Sequence, residues 1–89
     1  MSALNVHKLK IKPYYFEQTI KGNKNFEIRF NDRNFKKGDL LILEEFDKRG
    51  YTGRYVNAEI TSVIDDVDFM REHYVALGIK LRIDRGIVL

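Results

Sequence analysis

Turn residues cut the chain into short pieces, and that spacing constrains its fold more than any other feature. Pro13, Gly22, the run Asn31-Asp32-Arg33-Asn34, Lys37-Gly38-Asp39 and the stretch Gly50 to Gly53 leave only brief segments between them. Several segments alternate apolar and polar residues with the period of two that suits a half-buried strand. In Val6 to Ile11, Leu9 and Ile11 alternate with lysines. In Arg54 to Ile64, Val56, Ala58, Ile60 and Ser62 are expected to share one face. The apolar run within Asp39 to Phe46 reads as a strand buried on both sides. Tyr74 to Ile83 reads as a closing strand, followed by a short tail.

One helix fits between these strands. Pro13 suits a first helical turn, because its missing N–H would have no partner there. Phe16 and Ile20 follow at i, i+4, and Gly22 is placed to end the helix in a left-handed conformation. Asp47 to Gly53 reads as a hairpin loop, and Asp65 to Glu72 as an acidic connection with room for one helical turn. A single short helix after the first of about five strands, mostly antiparallel by connection length, predicts an α+β, mainly β fold. Such strands would close into a small β-barrel.

With 89 residues, the chain is expected to form a single domain over 1–89. The absence of cysteine excludes disulfide frameworks and thiolate metal sites. His7 and His73 lie at opposite ends of the sequence, so no metal or cofactor is expected. The first residues lack the basic and apolar segments of a signal peptide, and no apolar run approaches a membrane span. A soluble, cytoplasmic monomer is the expectation. Charge is unevenly placed: residues 1–37 hold nine Lys or Arg against three acids, whereas residues 38–72 hold four against nine. A segregated basic half suits a polyanionic partner, though lysines of this kind also keep small domains soluble.

The segment Gly22-Asn23-Lys24-Asn25-Phe26-Glu27-Ile28-Arg29 carries the most chemistry. Alternation sends Glu27, Arg29 and Asn31 to one face of a strand spanning Lys24 to Asn31, and Phe26, Ile28 and Phe30 to the other. The apolar side is expected to face a core. Lys24 has the wrong parity for the charged face, and joins it only if the chain bends after Gly22. A plain solvated salt bridge would give the same pattern.

Gly22, Lys24, Glu27 and Arg29 match the G-x-K-x-x-E-x-R signature of ASCH domains, a branch of the PUA-like superfamily. The context resembles the DUF3850-type subfamily: His7-x-Leu9-Lys10, Pro13, and Phe26-Glu27-Ile28-Arg29-x-Asn31-Asp32-Arg33-x-Phe35-x-x-Gly38-Asp39. Tyr74 to Lys80 resembles its closing strand, so the likeness covers nearly the whole chain. The resemblance implies a PUA-like β-barrel with a cleft beside the helix, lined by the signature residues. It also implies a role in binding RNA or a nucleobase-like ligand.

The residues themselves allow that chemistry. Lys24 can hold phosphate as a point charge and Arg29 as a planar fork. Glu27 can accept from the exocyclic amine of a base. Tyr14, Tyr15, Phe35 and Tyr51 are candidate stacking surfaces, Tyr51 above all because glycines flank its loop. Asn31, Arg33, His7 and Lys10 complete the candidate ligand contacts. Arg33 can equally pair with Asp32 to fix its turn, and His7 can equally be a structural histidine. On this reading, Lys24→Ala or Arg29→Ala weakens RNA binding with little loss of folding.

The alternative is a small amidohydrolase acting on acylated nucleosides such as N4-acylcytidine, with Lys24 and Glu27 catalytic. Some small ASCH relatives have this activity and use a lysine to activate a nearby hydroxyl. This chain has no Ser or Thr between Gly22 and Thr52. A third reading, a protein-interaction domain working through Asp65 to Glu72, rests on the charge run alone.

Overall fold

A computed structural model describes residues 5–82. The elements are β1 (Val6–Ile11), α1 (Pro13–Ile20), β2 (Phe26–Phe30), β3 (Leu40–Asp47), β4 (Gly50–Ile64) and β5 (Tyr74–Leu81). All five strands join one sheet in the order β1-β3-β4-β5-β2. β1 runs parallel to β3, and every other pairing is antiparallel. The sheet curls into a half-barrel, so the α+β, mainly β architecture with one short helix after the first strand is the one observed.

Alternation builds the interior. Leu9 and Ile11, Leu41 and Leu43, Val56, Ala58 and Ile60, and Val75, Leu77 and Ile79 all point into the curl and are buried. Each of the valines, leucines and isoleucines contributes about 1.5–3 kcal/mol on burial, depending on its size. α1 covers this core through Phe16, which has no exposed surface. Lys12 is extended ahead of Pro13, as the residue before a proline prefers, and its carbonyl accepts from Phe16 N–H at 2.8 Å. Gly22 ends the helix at φ +80°, a conformation that a side chain would strain.

Several expectations are corrected in detail. β3 alternates rather than being buried on both sides: Leu41, Leu43 and Glu45 face inward while Leu40, Ile42 and Glu44 are half-buried. The β3–β4 turn is tight, with Asp47 paired to Gly50, so Tyr51 to Gly53 belong to β4 and not to a loop. Ser62 leaves the face of Val56, Ala58 and Ile60, because a bulge between Ile60 and Ser62 shifts the register against β5. Residues 65–73 contain turns and no helix. Ile83 and the tail lie outside the described residues, as does the start of the chain at 1–4. Among the described residues, no helix is long and apolar enough to cross a membrane.

The largest correction concerns β2, which is shorter than expected and inverted in polarity. Glu27 is buried at 3% exposure, whereas Phe26, Ile28 and Phe30 are 47%, 56% and 51% exposed. Among the described residues β2 is an edge strand paired only to β5, so its inward face meets the open seam of the half-barrel and not the aliphatic core.

Candidate ligand cleft at the barrel seam

β1 and β2 are the two edges of the sheet, and no backbone ladder joins them among the described residues. Side chains span the gap instead. Arg29 Nη2 donates to the carbonyl of Lys10 at 2.7 Å, and Arg33 Nη1 donates to that of Lys8 at 2.6 Å. These carbonyls belong to alternate residues of β1, so they project from the same edge, the one away from β3. Two guanidinium groups thus occupy an edge that would otherwise present unpaired acceptors.

Glu27 organises the seam. Its Oε1 accepts from Arg29 Nε at 2.9 Å and from Nη2 at 2.7 Å, and its Oε2 contacts Lys24 Nζ. A carboxylate this buried is tolerated because both oxygens are paired with cations; one left alone would carry a large desolvation penalty. Lys24 overcomes its parity because β2 begins only at Phe26. The chain from Gly22 stays irregular, with the amides of Asn23 and Lys24 both donating to the Gln18 carbonyl, at 2.9 and 3.1 Å. Lys24 Nζ also donates to the Phe26 carbonyl at 2.6 Å. The cluster carries one net positive charge, two cations against one anion.

Beside it lies a cleft of about 480 Å³ between the end of β1, the start of α1 and β2. Ile11, Tyr15, Phe26 and Ile28 supply apolar lining, while Lys10, Lys12, Lys24 and Arg29 supply cations around Glu27. Lys24 Nζ stands 5.7 Å from the Tyr15 ring centre and 5.3 Å from that of Phe26. An apolar hollow ringed by positive charge suits a flat heterocycle that carries an anionic group.

Of the residues singled out from the sequence, Lys10, Tyr15, Lys24, Glu27 and Arg29 come together here. Asn31 and Arg33 lie further along the seam: Asn31 Oδ1 accepts from Phe35 N–H at 3.2 Å, and Arg33 holds Lys8. Arg33 pairs only loosely with Asp32, at 3.5 Å. His7 points into the protein, where its Nε2 is 2.9 Å from Asp39 Oδ2 and its ring meets the buried Phe35. Neither His7 nor Phe35 lines the cleft. Tyr51 is exposed on the hairpin, packed edge-on against Phe46. Lys10 Nζ lies 4.3 Å from the Phe46 ring centre and 5.8 Å from that of Tyr51, which links the hairpin to the cleft's rim. Tyr14 is exposed and touches Tyr15 edge-on.

Lys12 is a cleft residue that sequence reasoning missed, though it shares the parity of Lys8 and Lys10. A second missed cluster lies under α1. Buried Glu45 accepts from Arg54 Nε and Nη2 at 2.9 and 2.8 Å and from Thr52 Oγ1 at 2.6 Å. The same guanidinium reaches Glu17 of α1 at 2.7 Å and lies over the Phe16 ring. Hydrogen bonding to Arg54 holds the Glu45 carboxyl below its ordinary pKa, with Thr52 assisting and burial opposing. The arginine is held above its own ordinary value by Glu45 and then Glu17. This network pins the helix to the hairpin.

Fold and site together define a small, mainly β half-barrel whose edges are bridged by an acid clamped between two cations, with a cationic cleft alongside. The chain belongs to the family described as "Domain of unknown function (DUF3850)", which matches residues 6–79. It is 43% identical over 72 residues to the uncharacterized 12.9 kDa protein in the GpA 3' region of Escherichia phage P2. That match covers 81% of this chain and 65% of the phage protein's length.

Proposed function

We propose that this domain is a non-catalytic module that binds single-stranded RNA, or a nucleobase-like ligand, in the seam cleft. The observation that carries the reading is the convergence of Lys10, Lys12, Lys24 and Arg29 on an apolar hollow flanked by the Tyr15 and Phe26 rings. Lys10 and Lys12 form no ion pair among the described residues and are available to phosphate. The finer placement among ASCH domains of the PUA-like superfamily belongs to the same proposal. It is supported by the G-x-K-x-x-E-x-R signature and the curled sheet.

The geometry favours binding over amide hydrolysis. Both oxygens of Glu27 are engaged by cations, and Lys24 Nζ is committed to two acceptors. Among the described residues that line the cleft, the only side-chain hydroxyl is that of Tyr15. Glu27 is therefore read as the anchor that presents the cations, not as a base.

Amide-resolved NMR titration with short single-stranded RNAs at low salt tests the proposal. Shifts are expected at Lys10, Lys12, Lys24, Phe26 and Arg29, fading as salt rises. Absence of shifts at low salt refutes RNA as the ligand. Sustained turnover of an N4-acylated cytidine, abolished by Glu27→Gln, overturns the non-catalytic reading.

A further inference from the structure

The inverted polarity of β2 leaves an apolar surface on the outside of the sheet. Phe26, Ile28 and Phe30 lie opposite Gly78, Ala76 and Tyr74 of β5. Ala76 in turn lies opposite Ile64 of β4, which is 49% exposed. The Phe30 and Tyr74 rings touch edge-on, with centres 5.6 Å apart. The outward side chains form one continuous face, three strands wide.

At roughly 100 Å² for each half-exposed large side chain, this face offers on the order of 400–500 Å² of apolar surface. Monomers rarely expose more than about 300–600 Å² in one patch, and a patch of that size is often functional. A standard interface buries about 800 Å² per partner, somewhat over half of it apolar. The face therefore supplies about what one side of a stable dimer needs.

Its two ends carry opposite charge. At the Phe30–Tyr74 end, the β4–β5 connection presents Asp65, Asp66, Asp68 and Glu72, offset by Arg71. At the other end, Lys80 projects from the same face of β5 as Tyr74 and Ala76, and it is exposed. Its cross-strand neighbour Glu59 is bonded to Arg82 at 2.8 Å. We infer that a second copy of this chain docks on the outer face of β2, β5 and β4, with its strands reversed about a two-fold axis in the plane between the sheets. That orientation sets each Lys80 against the partner's acidic connection, whereas strands running the same way would oppose acid to acid. Phe26 and Ile28 belong both to this face and to the cleft, so the pair would carry its two clefts along the flanks of the interface.

Sedimentation equilibrium of the full chain at rising concentration, without RNA, reads this directly and does not depend on the cleft's ligand. The wild type is expected to reach twice its 10.5 kDa mass. Phe30→Glu and Ile64→Glu, each checked for native fold by amide spectra, are expected to remain monomeric. Lys80→Glu is expected to weaken the dimer at least tenfold at low salt. A monomeric wild type at several hundred micromolar overturns the proposal. So does a dimer that survives both apolar substitutions. An unchanged dimer in Lys80→Glu overturns the reversed orientation.

Discussion

Arg29→Ala tests whether side chains hold the barrel seam together. The substitution leaves buried Glu27 with Lys24 alone and cuts the tie to the Lys10 carbonyl. Breaking a buried ion pair costs about 3–5 kcal/mol. Two features reduce that figure: Glu27 keeps one cation, and the Arg29 side chain is 24% exposed, where solvent screens the pair. A loss of about 2–3 kcal/mol is expected, against a total of roughly 4–13 kcal/mol for a domain of this size. The melting temperature should fall by roughly 8–24 °C. Urea denaturation followed by circular dichroism measures it, with Lys12→Ala as a control that removes a cleft cation without touching Glu27. Arg29→Lys keeps the charge but not the two-pronged contact, and should lie between wild type and alanine. A loss below about 0.5 kcal/mol for Arg29→Ala, no greater than the control, would show that the seam does not depend on this guanidinium. Arg29→Ala would therefore mix a loss of stability with any loss of binding, and Lys12→Ala is the cleaner probe of binding.

Other consequences are open to direct measurement. Lys12→Ala should weaken single-stranded RNA binding severalfold with unchanged urea stability, and should lower the slope of log affinity against log salt by about one counterion. Glu45 has a lowered pKa in the folded state, so its stabilising contribution is present above its unfolded value of 4.5 and is lost as pH falls through the folded value. Glu45→Gln should accordingly flatten the acid limb of a stability–pH curve below about pH 4.5. At Gly78 an added Cβ would stand 2.5 Å from Ser62 Oγ, so Gly78→Ala should cost about 1 kcal/mol, the hydroxyl being able to turn aside. Ser62→Ala in the same chain should restore most of the loss, and no restoration would place the strain at Thr61 Oγ1, 3.0 Å from the added Cβ, or in the backbone.

Much of the fold was legible because strand period and turn chemistry are local. Pro13 and Gly22 bracket the helix, and the parity of Leu9, Ile11, Val56, Ala58 and Ile60 marks their strands' buried faces. Ser62 was not legible, since a bulge depends on how two strands pair and not on either sequence alone. Glu45 and Arg54 were missed because an acid among apolar residues reads as exposed until its partners are known. Arg54 lies nine positions from Glu45 and 37 from Glu17, and the three meet only when α1 crosses the hairpin.

In β2 the division is sharpest. Period two by itself determined that Glu27 and Arg29 share one face and that Phe26, Ile28 and Phe30 share the other. It could not determine which face turns inward, because alternation specifies parity and not sign. Hydrophobicity alone would have buried the phenylalanines. The tertiary structure decided otherwise by placing β2 at an edge, where its inward side meets the β1 edge and not the aliphatic core. There, Arg29, held in place by Glu27, donates to the Lys10 carbonyl at the β1 edge, and an apolar side chain in its place would leave that acceptor unpaired.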